Sequence, residues 1–157
     1  MGTPDLVLAA LALVVGVALA WRSGPGTRIV LFVSAALVSA MLFLPGSQLT
    51  AMIGKDTVKA LERLVAATPW RLSDWLHFGI FAWLGMLLWL GRQDLRGWKA
   101  WGLMVVLAAA AEVAQGLTPD RSPRLDDVLL NLAGGMAGLL MGMMFVALGR
   151  PSRAGLE

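Results

Sequence analysis

The side chains that could do chemistry gather in one window between two apolar stretches. The window runs from Glu112 to Asn131 (EVAQGLTPDRSPRLDDVLLN) and holds a Glu, a Gln, two Arg, three Asp and an Asn. A turn between helices needs a few polar residues, but it does not need a carboxylate several residues inside an apolar stretch, as at Glu112. An ionisable group in lipid-like surroundings is costly unless it is paired, hydrated or protonated. We therefore expect Glu112 to have a partner, with Arg121, His77 and a bound cation as the candidates.

Glu112 also resists the usual structural explanation for a carboxylate at a helix end. It precedes the end of an apolar segment, where the helix dipole disfavours negative charge. We therefore expect no capping role for it, and a functional role becomes the leading hypothesis.

The composition indicates that much of this chain lies in a lipid bilayer. Of its 157 residues, 58% are hydrophobic and only 15% are charged, and the mean hydropathy is +0.74. Soluble domains average about 25% charged residues. The length fits a single domain over residues 1–157. The net charge is only +3, and no block of Lys and Arg alternates with aromatic residues, so a nucleic acid partner is not expected.

The cysteine count removes several kinds of chemistry. The chain has no Cys, which excludes disulfides, thiolate catalysis and metal sites built on Cys. We expect no cofactor and no bound metal.

Five apolar segments predict an all-α, polytopic membrane helix bundle with about five transmembrane helices. They are Leu6–Trp21, Ile29–Leu44, Leu72–Leu90, Trp98–Leu117 and Val128–Leu148. The first could instead be a signal peptide, because Ala18–Ala20 resembles a cleavage site. The preceding Met1–Asp5 lacks the usual basic residues, however, so we interpret the segment as a span.

The long connection Pro45–Arg71 contains an amphipathic pattern. Four apolar residues fall roughly on one helical face: Ile53, Val58, Leu61 and Val65. The charged residues lie elsewhere: Lys55, Lys59, Glu62 and Arg63. This pattern predicts either an interfacial amphipathic helix or a solvated surface helix.

With five spans, the Lys and Arg residues divide seven to six between the two sides of the membrane. The seven lie in short loops and at the C-terminus: Arg22, Arg28, Arg92, Arg96, Lys99, Arg150 and Arg153. Positive residues in short loops favour the cytoplasmic side. We therefore expect the N-terminus outside and the C-terminus in the cytoplasm of a multi-pass protein of the cell membrane.

This topology brings six polar residues to one depth near the outer face. They form one pair on each of three helices, three or four residues apart and so on one helical side: Asp74 with His77, Glu112 with Gln115, and Asp127 with Asn131. The face of Asp127 and Asn131 continues through Gly134, Gly138 and Gly142. Glycines at this spacing let another helix approach closely, so the polar pairs could converge on one pocket.

Most of these residues also have a structural explanation. Ser73 and Asp74, or Asp126 and Asp127, could cap the helices that they begin. Interhelical hydrogen bonds would account for Gln115 and Asn131. The single histidine could be a packing residue, and Arg121 and Arg124 could bind lipid phosphates nonspecifically.

The ordered set of motifs resembles the VanZ-like family of small bacterial integral membrane proteins. The motifs are H-F-x-x-F-x-x-L from His77, E-x-x-Q from Glu112, and R-x5-D-x3-N-x2-G-x3-G from Arg121, and the resemblance covers about Leu72 to Gly142. The family commonly has Asp and Lys four and three residues before the histidine, where this chain has Ser73 and Asp74. The family is named for an accessory protein of glycopeptide resistance that lowers teicoplanin susceptibility. The resemblance implies a cell-envelope membrane protein and supplies no reaction.

Three functions fit these residues. The first is an accessory protein that binds membrane lipids, a lipid-linked envelope precursor or another envelope protein. Its pocket would be held by pairs such as Glu112–Arg121 and His77–Asp127, with Arg121 on a phosphate. Its ligand-binding candidates are His77, Glu112, Gln115, Arg121, Asp127, Asn131 and Asp74.

The second is a membrane-embedded hydrolase or transferase acting on such a precursor. His77 would be the general acid or base, and Glu112 or Asp127 would orient it or bind a divalent cation. The third is proton-coupled transport through Glu112. The polar groups gather near one face rather than at the midplane, so transport ranks last.

Overall fold

The computed structural model of the chain describes residues 3–43, 46–116 and 124–149. Across these ranges the regular structure is helical, with one short 3-10 turn at Gln93–Leu95. The α-helices are α1 (Thr3–Ala20), α2 (Pro25–Phe43), α3 (Gly46–Ile53), α4 (Lys55–Val65), α5 (Leu72–Gly91), α6 (Trp98–Gly116) and α7 (Leu125–Leu148). The described parts of all five apolar segments lie in helices, namely α1, α2, α5, α6 and α7, except for Trp21 in the turn after α1. The prediction of an all-α fold is confirmed.

Two of these helices, α5 and α7, are long and apolar enough to cross a membrane, with 20 and 24 residues. At 1.5 Å per residue they extend about 30 and 36 Å, which matches a hydrocarbon core of about 30 Å. In α2 the stretch Pro25–Leu37 is apolar but shorter. In α6 the apolar run is diluted by Lys99, Glu112 and Gln115. Among the described residues the helices thus support a bundle with two membrane-capable members, and the five expected spans are not shown.

A seam of small residues joins α5 to α7, the most extensive helix pair in the described chain. A Cβ atom on Gly134 would overlap the carbonyl oxygen of Phe78, and one on Gly138 would overlap that of Ala82. The partner in α5 moves from Phe78 to Ala82 as the glycine in α7 moves from Gly134 to Gly138, so α5 and α7 run parallel. The prediction that the glycine face of α7 meets another helix is confirmed, because only glycine permits this backbone approach.

The helix α6 packs on α7 in the opposite direction. Met104 lies against Gly135, with its sulfur 3.0 Å from the position of a Cβ there. A buried cluster continues from this contact through Leu88, Ala100, Met104 and Leu139. The end of α6 therefore lies at the same level as the starts of α5 and α7, which is the arrangement needed to bring their polar pairs together.

The hairpin of α1 and α2 attaches to the outside of α5 by hydrogen bonds. Trp83 Nε1 donates to Ser34 Oγ at 2.9 Å. At the far end of α5, Ser23 Oγ donates to the carbonyl oxygen of Gly91 at 3.4 Å. These bonds fix α2 beside α5 at two levels.

A buried arginine strengthens the same attachment. Arg92 is only 6% exposed, and its guanidinium donates to the carbonyl oxygen of Leu19 in the last turn of α1. It also binds Asp94 through two hydrogen bonds of 2.8 and 2.7 Å. Because Arg92 donates these bonds and carries a positive charge, the pKa of Asp94 is lowered to about 2. The carboxylate raises the pKa of Arg92 in turn, chiefly through the same hydrogen bonds.

The long connection holds two short helices, α3 and α4, where its amphipathic pattern predicted one; Ile53 ends α3, and Val58, Leu61 and Val65 lie in α4. None of the residues of α4 is buried, and Leu64 at its apolar side is 76% exposed. Its end is tied to α5, because Thr68 Oγ1 donates to the carbonyl oxygen of Val65 at 2.7 Å and accepts from Trp75 Nε1 at 3.0 Å. The helix is thus confirmed, and its apolar face meets no protein core.

Candidate functional site

The polar cluster begins at the first turn of α5, where Asp74 has the structural role that its position suggested. Its carboxylate accepts the backbone N–H of Arg71 at 2.8 Å and the hydroxyl of Ser73 at 3.3 Å. As the third helical residue, Asp74 binds the N–H group of the residue that precedes the helix, and its charge also suits the helix dipole. This capping contact accounts for Asp74 without a ligand.

One hydrogen bond joins α5 to α7 within the cluster. His77 Nδ1 lies 3.0 Å from Asn131 Oδ1, and Asn131 is completely buried. Because Oδ1 can only accept, Nδ1 carries the proton and donates, which leaves Nε2 of a neutral ring as the basic nitrogen. The hypothetical pair of His77 with Asp127 does not form; the amide one turn further along α7 takes the imidazole instead.

Glu112 joins α6 to α7 through a capping bond that the sequence reasoning excluded. Its Oε1 accepts the backbone N–H of Arg124, the residue just before α7, at 2.6 Å. The expectation that Glu112 cannot cap a helix is therefore wrong. It lies near the end of its own helix, but the antiparallel packing of α6 places its carboxylate at the start of α7, where the dipole favours negative charge.

The two capped helices begin with nearly the same four residues, RLSD at 71–74 and RLDD at 124–127. In α5 the final Asp of this motif binds the N–H of the preceding arginine. In α7 the corresponding N–H goes to Glu112, and the half-buried carboxylate of Asp127 makes no hydrogen bond within the described ranges. Glu112 therefore replaces Asp127 as the cap and leaves that carboxylate available.

Two buried polar atoms of the cluster find no hydrogen-bond partner among the described residues. They are Glu112 Oε2 and Asn131 Nδ2, on residues that are 3% and 0% exposed. A buried polar group without a partner costs about 1–3 kcal/mol, and more when it is charged. One atom is an acceptor and the other a donor, and a hydroxyl, an amide or a water molecule has the groups to bond with either.

Of the remaining predicted residues, the structure describes Gln115, which lies at the same end of the bundle. Gln115 is buried at 5% exposure, one helical turn beyond Glu112. Arg121 lies outside the described residues. Arg124, which was weighed only as a nonspecific contact to lipid phosphate, supplies the N–H that Glu112 binds, while its side chain forms an exposed 3.5 Å ion pair with Asp126. Its position before α7 indicated an unpaired N–H group, but nothing local indicated that a carboxylate of another helix would bind it.

The described residues contain no group of three or more His, Asp or Glu side chains arranged to hold a metal ion. The cluster instead offers one oriented imidazole, two carboxylates and two amides on three helices. Such a set can bind and orient a polar group through hydrogen bonds, and His77 Nε2 could accept a proton from it.

The family model described as VanZ/LLP1 matches residues 6–146 of the chain. This match confirms the resemblance and extends it well before the expected core of 72–142. No curated protein matches the chain, and no solved structure does so.

Proposed function

Because the chain belongs to the VanZ/LLP1 family, we propose that it is a multi-pass membrane protein of the bacterial cell envelope with an accessory, ligand-binding role at the outer membrane face. Its ligand would be an envelope lipid, a lipid-linked envelope precursor or the membrane segment of an envelope protein. The protein that gave the family its name suggests one physiological consequence, a change in susceptibility to teicoplanin.

The half-bonded carboxylate of Glu112 carries this proposal. One oxygen is committed to the start of α7, while the other is buried without a hydrogen-bond partner among the described residues. A ligand that donates to Oε2 and accepts from Asn131 Nδ2 would remove both penalties at once. Lipid headgroups and glycan carriers commonly present hydroxyl or amide groups that can do this. A phosphate on the same ligand would bind Arg121.

The proposed topology has five spans, with the N-terminus outside and the C-terminus in the cytoplasm. Support comes from the lengths of α1, α2 and α6, which have 18, 19 and 19 residues. At 1.5 Å per residue these helices are about 27–29 Å long, near the thickness of a hydrocarbon core. In this orientation the cluster faces outward, and the loops with Arg28, Arg92 and Arg96 face the cytoplasm.

Lipid analysis of the purified protein tests the proposed binding role. Glu112→Gln keeps an oxygen for the N–H of Arg124 but replaces the unpaired acceptor by an NH₂ donor. We expect a specific envelope lipid to co-purify with the wild type and to fall at least tenfold in this variant, since one lost hydrogen bond to a charged group is worth about 1.5–3 kcal/mol. Asp126→Asn is the matched control, because that carboxylate is 76% exposed at the same helix start. Equal lipid content in all three proteins would overturn the binding role.

A cellular assay connects the same variants to the envelope. We expect Glu112→Gln and Arg121→Ala each to abolish the envelope phenotype of the wild type, including any change in teicoplanin susceptibility, at unchanged membrane levels. Normal phenotypes in both variants would contradict the assignment of the site.

The oriented imidazole of His77 favours a second candidate, a membrane-embedded hydrolase or transferase acting on a lipid-linked cell-wall precursor. Its Nδ1 is held by Asn131 at 3.0 Å, so Nε2 is positioned as a general base. The carboxylate of Asp127, which makes no hydrogen bond within the described ranges, lies one turn from Asn131 and could orient the substrate. The sequence has no nucleophile signature such as a G-x-S-x-G elbow, and this ranks the candidate below binding.

Product analysis distinguishes the two candidates. The purified protein would be incubated with a lipid-linked cell-wall precursor in nanodiscs, and the lipid and water-soluble fractions examined by mass spectrometry. Turnover that His77→Gln abolishes would establish the enzyme. Retention of intact precursor, lost only in Glu112→Gln, would establish the accessory role.

A further inference from the structure

The helix α4 presents two opposed surfaces and buries neither. Its charged residues share one side: Lys55, Asp56, Lys59, Glu62 and Arg63. Its larger apolar residues share the other: Val58, Leu61, Leu64 and Val65. Just before α4 in the chain, Met52 and Ile53 at the end of α3 are also exposed, at 76% and 43%. Exposed apolar side chains gathered on one side of a helix mark an interface.

The position of α4 relative to a membrane-capable helix indicates what covers this surface. Thr68 binds both the last turn of α4 and Trp75 in the first turn of α5. Trp70 packs its ring on those of Trp75 and Phe78, with centroids 5.0 and 6.2 Å apart. These contacts hold the end of α4 at the level where α5 begins. Tryptophan rings concentrate at the boundary between hydrocarbon and water, so this level is that of the lipid headgroups.

The charged side of α4 complements anionic headgroups. Lys55, Lys59 and Arg63 follow one another at intervals of four residues and therefore form one strip along the helix. With Asp56 and Glu62, the helix has a net charge of 3 − 2 = +1. All three basic residues are exposed, and long basic side chains can extend past an apolar helix body to reach phosphates.

We propose that α4 lies in the lipid–water interface beside the start of α5 and binds anionic phospholipids of its own membrane. Its apolar side enters the acyl boundary, and the strip of Lys55, Lys59 and Arg63 contacts the phosphates. The helix thereby anchors the long connection against the bilayer and enriches anionic lipid next to the polar cluster. This inference does not depend on the ligand proposed for Glu112.

Spin labels can measure the depth of each side of α4. Single cysteines at positions 59, 61, 63 and 64 would be labelled in the naturally Cys-free chain, in nanodiscs of phosphatidylcholine with about a third phosphatidylglycerol. We expect labels at 61 and 64 to be accessible to oxygen and shielded from a water-soluble nickel reagent, and labels at 59 and 63 to show the opposite. Nickel access at all four positions would overturn the proposal. Dipolar broadening between labels at 61 would overturn it in favour of a second copy as the occupant.

Lipid selectivity provides the second measurement. The triple variant Lys55→Gln, Lys59→Gln and Arg63→Gln would be compared with the wild type for phosphatidylglycerol retained during purification from mixed vesicles. We expect the preference for the anionic lipid to fall at least about fivefold, the effect of one basic residue near an anionic surface. Lys99→Gln, an exposed charge at the opposite end of the bundle, should leave it unchanged. An unchanged preference in the triple variant would contradict headgroup binding. The lipid bound through Glu112 should persist in this variant, which separates the two proposals.

Discussion

Oε1 of Glu112 lies 2.6 Å from the backbone nitrogen of Arg124, so a side chain near the end of α6 caps the start of α7. The N–H groups at the start of a helix have no intrahelical acceptor, and a carboxylate there also interacts favourably with the helix dipole. The contact fixes the level of α6 against α7. It also holds the carboxylate of Glu112 in place, with Oε2 left without a hydrogen-bond partner among the described residues.

The capping contact predicts that the effect of removing the Asp127 carboxylate on stability depends on whether Glu112 is present. Glu112→Ala should destabilise the fold by only about 1–2 kcal/mol, because Asp127 can then turn back to the N–H of Arg124, as Asp74 does in α5. Asp127→Ala alone should change stability by less than about 0.5 kcal/mol, since its carboxylate makes no hydrogen bond within the described ranges. In the Glu112→Ala background the same change should cost about 1 kcal/mol more.

Unfolding in mixed detergent and SDS micelles, followed by tryptophan fluorescence, would give the four stabilities of this double-mutant cycle. Asp126→Ala in both backgrounds serves as the control, because its exposed carboxylate should not replace the cap. If the losses of unfolding free energy from Glu112→Ala and Asp127→Ala simply add in the double variant, Asp127 does not take over the cap when Glu112 is removed.

The sequence was sufficient to predict the helices and the contact between the polar faces of α5 and α7, and it failed at the individual partners. Periodicity and length identify apolar helices, and alternating chain direction brings the end of α6 to the starts of α5 and α7. Hydrogen-bond partners depend on helix rotation and on shifts of a few ångströms along the helix axes. That is why His77 meets Asn131 rather than Asp127, and why Glu112 meets the backbone at Arg124.

Local motifs were similarly incomplete as a guide to function. The Asp at the end of RLSD caps its own helix, and the Asp at the end of RLDD does not, although the two motifs differ at one position. The difference comes from Glu112, which is distant from RLDD in sequence. A capping explanation based on local sequence thus holds for Asp74 and fails for Asp127.

The glycine seam predicts a large cost for one added methyl group. In Gly138→Ala the new Cβ would overlap the carbonyl oxygen of Ala82, so α5 and α7 would have to separate. We expect a loss of about 1–3 kcal/mol of unfolding free energy, measured in the same mixed micelles. Gly102→Ala in α6 is the matched control, because no atom lies within 4 Å of a Cβ there. Its effect should be neutral or stabilising, since alanine favours a helix over glycine. Equal effects of both changes would contradict the seam.

The pair of Arg92 and Asp94 predicts a specific acid dependence. The pKa of Asp94 is lowered to about 2 in the folded protein, below the ordinary value of about 3.9. The pair therefore stabilises the fold fully above about pH 4, and this contribution is lost as the pH falls through about 2. We expect Asp94→Asn to lower Tm by a constant amount above about pH 5, and the difference from wild type to vanish near pH 2.

The variant Arg92→Met separates this pair from other acid effects. In that background Asp94→Asn should no longer produce a pH-dependent difference in Tm between pH 2 and 5. A difference that persists would assign the acid dependence to another partner of Asp94.

Cysteine labelling decides both the orientation and the number of crossings around α6. Position 122 follows α6, while the exposed Gln93 precedes it. With the cluster outside, an impermeant maleimide should label Ser122→Cys on intact cells and Gln93→Cys only after lysis. The opposite pattern would reverse the orientation. Labelling of both positions from one side would show that α6, which carries Lys99, Glu112 and Gln115, does not cross the membrane. In that case Glu112 would lie at the surface of the bilayer, and water would bond to its Oε2. A buried ligand site therefore requires that the two positions be labelled from opposite sides of the membrane.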